Sequence, residues 1–255
     1  MSYTLAGLAV LASMILAAAG VVAVRRVVPL PVLRRQNEIA VPVFLQVGVA
    51  CAVLLAFAVT LVWGQYDLTA RHVDEEAAAL LVIASLSRGV QEERPGTIGR
   101  LVLDYAETVV EEEWPALRRG RSGTQATAAL AQLWAAVIAF EPRPGREATL
   151  HAAMLDALLK ASEQRRLRLF HARQPVPAVI WVLLVATAVV TVGLALTFGM
   201  DSVTVQAALT AALSGSMAAV LVLVALLDLP FSGGQVIAPD AFEAGIRTLR
   251  QVVLR

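Results

Sequence analysis

Three histidines, His72, His151 and His171, are the residues whose chemistry could hold a metal or move a proton near neutral pH. Their spacing fits no metal motif, and a single cysteine, Cys51, excludes a cysteine zinc site and an internal disulfide. No metal site is expected, and the histidines read as solvated residues of polar faces. Carboxylates cluster at Asp74-Glu75-Glu76, Glu92-Glu93 and Glu111-Glu112-Glu113. Such groups offer oxygen ligands to calcium, but none has EF-hand spacing, so each reads as a solvated helix face. Arg165, Arg166 and Arg168 stand shortly before Pro175 and read as a basic belt beside a membrane, attracted to anionic head groups. The sequence holds no glycine-rich phosphate loop and no nucleophile elbow. The expectation is a non-enzyme without a cofactor.

The remaining polar residues of interest interrupt long apolar runs: Gln46 and Thr60 in one, Thr187, Thr191 and Thr197 in another, Thr210, Ser214 and Ser216 in a third. None is ionisable. Pumps and ion-coupled transporters usually keep a carboxylate or histidine within the membrane, whereas a passive pore needs neither. A constriction of small and apolar side chains can gate by dewetting, with nearby amide or basic groups setting selectivity.

The elements that carry these residues follow from composition and period. Hydrophobic residues make up 58% of the 255, and the mean hydropathy is +0.71, above the ~45–50% apolar content of soluble domains. A net charge of +1 gives no general attraction to nucleic acid. Four runs, residues 3–24, 39–63, 179–200 and 203–227, are long enough to cross a ~30 Å hydrocarbon core as helices. The first lacks the basic start of a signal peptide and reads as a retained span. The second ends at Trp63 and Tyr66, suited to an interface, and its period continues through Val73, Ala77, Leu80, Leu81 and Ala84 to about Arg88. Residues 25–38, with Pro29 and Pro31, read as a connector.

Between the spans, one helical face is marked by Ile98, Leu101, Val102, Tyr105 and Val109, after Pro95-Gly96 and ended by Pro115. Leu130, Leu133, Trp134, Val137 and Ile138 mark a second, and Leu150, Met154, Leu158 and Ala161 a third. Small residues at Ala207, Ala211, Gly215 and Ala219 suit close helix packing. Asp240 and Glu243 form a capping box for a last helix, with Phe242, Ile246, Leu249 and Val253 on one side and Arg247, Arg250 and Arg255 on the other. That helix could lie on a membrane surface or dock on the middle domain, and docking is preferred.

The expected fold is all-α: a polytopic membrane protein with four transmembrane helices and a helical cytoplasmic domain inserted between helices 2 and 3. The expected divisions are 3–64, 65–175, 178–228 and 229–255. Basic residues place the middle domain and both termini on the cytoplasmic side of the cell (inner) membrane, against the local vote of Arg25, Arg26, Arg34 and Arg35.

Several stretches resemble a family. They are Arg35-x-Asn37-Glu38, Ala52-Val53-Leu54-Leu55-Ala56-Phe57, Trp63-x-x-Tyr66, Glu75-x-Ala77-x-x-Leu80, Tyr105-x-x-x-Val109-x-x-x-Glu113-Trp114-Pro115 and Leu227-Asp228-x-Pro230-Phe231-Ser232-Gly233. Together they resemble a bacterial family labelled bestrophin-like, which has no settled activity. The chain departs from the pattern at Cys51, usually tyrosine, at Leu229, usually arginine, and at Ala40-Val41-Pro42, which lacks the usual glycine. The loss at Leu229 leaves Asp228 without an obvious partner. The resemblance implies distant similarity to bestrophins, oligomeric anion channels with four membrane helices whose second helix lines the pore.

The expected function is an oligomeric passive ion channel of bestrophin type that conducts anions, with Arg34 and Arg35 as a basic mouth and Asn37, Gln46, Gly48 and Phe57 facing the pore. Its partners would be the lipid bilayer, further copies of the chain and inorganic ions, with no nucleic acid. The alternative is a membrane-anchored helical scaffold or sensor whose middle domain binds a partner.

Overall fold

The computed structural model describes residues 3–90, 96–121, 123–232 and 234–253, apart from the side chains of residues 252 and 253. Glu92, Glu93, Pro95, Gly233, Arg255 and the side chain of Val253 therefore lie outside the described residues. Those described are helical, with no strand among them. The helices are α1 (Tyr3–Val27), α2 (Leu30–Ser87), α3 (Thr97–Thr108), α4 (Trp114–Arg118), α5 (Gln125–Ala139), α6 (Arg146–His171), α7 (Ala178–Leu196), α8 (Val203–Leu227) and α9 (Asp240–Val253). Four of them, α1, α2, α7 and α8, are long and apolar enough to cross a membrane.

Two boundaries differ from the sequence expectation. The connector is reduced to Val28 and Pro29, and α2 runs unbroken for 58 residues. Pro31 falls in its first turn, where backbone N–H groups have no helical acceptor and proline costs little. Pro115 likewise does not end its helix. A π-helical turn, Val109–Glu113, joins α3 to α4, and Pro115 stands in the first turn of α4. Its missing N–H falls where the α pattern restarts.

The chain divides into two compact units, Met1–Gly64 with Pro175–Asp228, and Gln65–Gln174 with Leu229–Arg255. In the first, α1 and α8 are the most closely packed pair. Ser214 Oγ donates to the Ser13 carbonyl at 3.2 Å, and Gly215 meets Met14 so closely that a Cβ would come within 2.7 Å of its Cγ. The small-residue row is only partly the contact. Ala207 and Ala211 are half-buried and Ala219 is exposed, while the buried row of α8 is Gln206, Thr210 and Ser214. Nearly half of the large apolar side chains of this unit remain exposed, Leu16 and Phe57 among them. The second unit has a continuous core from Val73, Leu80 and Ile83 of α2 through Val102, Leu133 and Met154 to Phe242 and Leu249 of α9. The amphipathic face of α9 is thus docked on this core, as preferred.

Candidate pore face and buried charge cluster

Within the first unit, α2 has two faces of different fate. Leu33, Cys51, Leu55, Ala58 and Val62 are buried against the chain's own helices. On the far side, Val49, Val53 and Phe57 are exposed, and so are Gln46 and Thr60. The four residues expected to line a pore divide between these faces. Asn37 and Gln46 are nine residues apart, about 2.5 turns at 3.6 residues per turn, and so stand on opposite sides. Gly48 shares the side of Asn37, and Phe57 shares that of Gln46, each pair being eleven residues, about three turns, apart. Thr60 closes its own hydroxyl onto the Ala56 carbonyl at 2.9 Å. The Gln46 side is left open by the chain, and so is the space at Gly48, where an added Cβ would meet nothing within 4 Å.

Asn37 has a different engagement. Its Nδ2 donates to the Gly199 carbonyl at 3.1 Å, and its Oδ1 accepts from the Gly199 N–H at 3.0 Å. The turn between α7 and α8 is held from several directions. Arg25 donates to the Met200 carbonyl at 2.7 Å, Gln206 donates to the Phe198 carbonyl at 2.6 Å, and Arg34 pairs with Asp201. Gly199 is required there, since a Cβ would lie 2.5 Å from the Arg34 backbone nitrogen. Of the two arginines assigned to a basic mouth, Arg34 is in this clamp, and Arg35 is exposed beside it on α2.

At the opposite end of α7, Asp228 has partners that the sequence did not reveal. Its carboxylate accepts from the Val176 N–H at 2.6 Å and from the Trp181 indole N–H at 3.3 Å. A negative charge at the start of a helix meets free N–H groups and the positive end of its dipole. Asp228 therefore acts on α7 without the arginine that Leu229 replaces.

The second unit contains a buried charge cluster. Arg168 donates from Nε to Glu76 at 2.7 Å and from Nη2 to Glu76 at 3.1 Å and Glu113 at 2.7 Å. Arg165 Nη2 donates to Glu113 at 2.5 Å and to Thr127 at 3.0 Å, and the Tyr105 hydroxyl donates to Glu76 at 2.5 Å. Arg168, Glu76 and Glu113 are fully buried. The acidic groups and the arginine run were expected to be solvated or to flank a membrane, and for Glu76, Glu113, Arg165 and Arg168 this is corrected. Two carboxylates facing two guanidiniums make a neutral set, which is how charge survives burial. Burial alone would weaken the Arg168 charge, but Glu76, by charge and hydrogen bond, and then Glu113 more than offset it, and its pKa is raised. Burial, then the Glu76 carboxylate, pushes the Tyr105 phenol well above its usual value of 10.0.

The sequence held a signal for this cluster that polarity masked. Glu76 falls three residues after Val73 and four before Leu80, within the apolar stripe of α2. Arg165 and Arg168 extend the stripe Leu158, Ala161 by further steps of four and three, and Glu113 follows Val109 by four. Charged residues in an apolar register mark a buried ion network.

Two motif pieces from distant parts of the chain meet beside it. The Trp114 ring contacts Phe231 edge-on at 5.4 Å and Phe242 at 5.7 Å, and its N–H donates to the Ile237 carbonyl at 3.1 Å. The Arg168 guanidinium lies 5.2 Å from the Trp114 ring centre. Pro230 is buried, and its carbonyl accepts from the Ile237 N–H at 2.8 Å. The histidines are also engaged: His72 with Gln164 at 2.7 Å and His151 with the Val137 carbonyl at 2.8 Å. No group of three or more metal-type side chains gathers among the described residues.

Comparison with known proteins supports the architecture. The family model for the Bestrophin-like domain matches residues 11–242. Among solved structures, one variant of a bacterial bestrophin homologue from Klebsiella pneumoniae has a TM-score of 0.74 at 14% identity, over 100% of this chain and 99% of that one. Another variant has a TM-score of 0.75 at 13% identity, over 97% and 98%. At such identity the likeness is one of fold. No curated protein matches the sequence.

Proposed function

The chain belongs to the Bestrophin-like family, and on that premise we propose that it assembles with copies of itself into a passive ion channel of the cell membrane that favours anions. The observation that carries this reading is the open side of α2. Gln46 and Phe57 stand there with Val49 and Val53, exposed in the single chain and turned away from its own helices. Repeated around an axis, the amides would wet one level, and the Val53 and Phe57 levels would form an apolar constriction able to gate by dewetting. Asn37 and Gly48 have the other side of α2 and do not line this path. Arg35, exposed eleven residues before Gln46 and so on the same side of α2, sets a positive entrance that raises local anion concentration, while Arg34 is paired with Asp201. Basic residues near the membrane ends of residues 65–175 and in α9 outnumber those of the opposite side, Arg25, Arg26, Arg34 and Arg35, which supports a cytoplasmic side for them and for both termini.

Purified protein in planar bilayers tests the proposal. The expected result is a passive conductance whose reversal potential in a chloride gradient moves toward the chloride value. Phe57→Ala raises the conductance, and Gln46→Leu lowers it. Absence of conductance across several salts would sink the channel reading. A reversal potential that follows the cation would overturn the anion preference alone.

A further inference from the structure

In the second unit, His72 of α2 and His171, the last residue of α6, lie face to face, with ring centres 5.4 Å apart and planes within 9° of parallel. Gln164 of α6 joins the pair, its Oε1 lying 2.7 Å from His72 Nδ1. An amide oxygen can only accept, so that nitrogen carries the proton, and a further proton on His72 must go to Nε2. On His171, Nδ1 is buried without a hydrogen-bond partner, while Phe170 packs edge-on against the same ring at 5.4 Å. Neutral, the rings stack comfortably. Doubly protonated, they would place two positive charges side by side across the α2–α6 seam.

The charged neighbours do not relieve this. From α2, Asp67 pairs with Arg71 and Glu75 with Lys160, and Glu76 is committed to Arg168. From α6, Arg165 and Arg168 are positive and already paired with Glu113 and Glu76. Arg173 stands two residues past the end of α6. These carboxylates each already hold a cation.

We infer that the His72–His171 stack is an acid-sensitive latch between α2 and α6, closed while at least one ring is neutral and loosened when both are protonated. The second positive charge, not the first, is what opposes the stack. In keeping with this, burial and then His72 hold the His171 pKa below the ordinary 6.5. The sign follows: the unfolded chain binds this proton more readily than the folded one. The latch is therefore intact above about pH 6.5 and its contribution is lost as pH falls below that value. The inference does not depend on whether the protein conducts.

The test uses the full chain in detergent micelles, with hydrogen exchange of the last two turns of α6, corrected for intrinsic rates, and melting temperature at pH 7.5 and 5.5. In the native protein, protection at the end of α6 should fall several-fold on acidification, and the melting temperature should drop by about 2–4 °C. The loss should shrink to the same residual level in His171→Gln, in His72→Gln and in the double variant, since none of them can charge both rings. An acid response absent from the native protein, or undiminished in the variants, overturns the latch. Should His171→Gln fail to fold, His72→Gln alone decides between these outcomes.

Discussion

Arg168 is the residue on which most of the second unit's buried polarity converges, with two carboxylates at its donors and the Trp114 and Phe242 rings at its flanks. Arg168→Met would leave Glu76 without its cation and Glu113 with Arg165 alone. The expected destabilisation is about 3–5 kcal/mol, read as lost thermal stability in detergent. Tyr105→Phe removes a single hydrogen bond and should cost about 1–3 kcal/mol, because a buried carboxylate loses a donor. The same variant carries a pH signature. The Tyr105 pKa is raised in the folded state, so the native protein should lose stability as pH climbs past the ordinary value of 10.0. Tyr105→Phe should flatten that alkaline decline in a melting series from pH 9 upward. At this scale the sequence carried the register but polarity hid it, and the four charged groups were expected to be solvated or to flank a membrane. Glu76, Glu113, Arg165 and Arg168 fall on apolar stripes. Nothing local shows which carboxylate meets which guanidinium across gaps of up to 92 residues.

Among the elements, spans were the easiest to read, because a charge-free run of helical length admits little else. The reach of α2 to Ser87 was also legible, since its apolar period continues after the run turns polar. Prolines misled at Pro31 and Pro115, where their position in a first turn, rather than their presence, decides the outcome. The α7–α8 turn was legible only as a turn, and its clamp depends on residues of three other segments. Two glycines test how rigid these junctions are. At Gly199 an added Cβ strikes backbone, whereas at Gly215 it strikes the flexible Met14 side chain. Gly199→Ala should therefore destabilise by about 1–3 kcal/mol, and Gly215→Ala by less. Melting temperatures of the two variants, compared side by side, check the order.

For the molecule as a whole, the exposed apolar surface of the first unit decides what the chain does in company. Only 11–28% of the most apolar window in each spanning helix is buried by the chain itself. Lipid can cover an apolar face, but it has no hydrogen bond to offer Gln46. Native mass spectrometry of the detergent-solubilised protein should therefore give a multiple of the 27.0 kDa chain mass, and a monomer at all concentrations would contradict the proposed assembly. Asn37 bears on how such an assembly can move. It grips both polar atoms of Gly199 from one side of α2, and Gln46 looks out from the other. Turning the helix about its own axis to re-aim Gln46 would break both bonds at once. Between the two residues stands Pro42, which lacks the N–H that would tie it to the Glu38 carbonyl. The N-terminal part of α2 is thus pinned against rotation and weakened against bending within a few residues, so its softest motion is a tilt beyond the pin, not a twist.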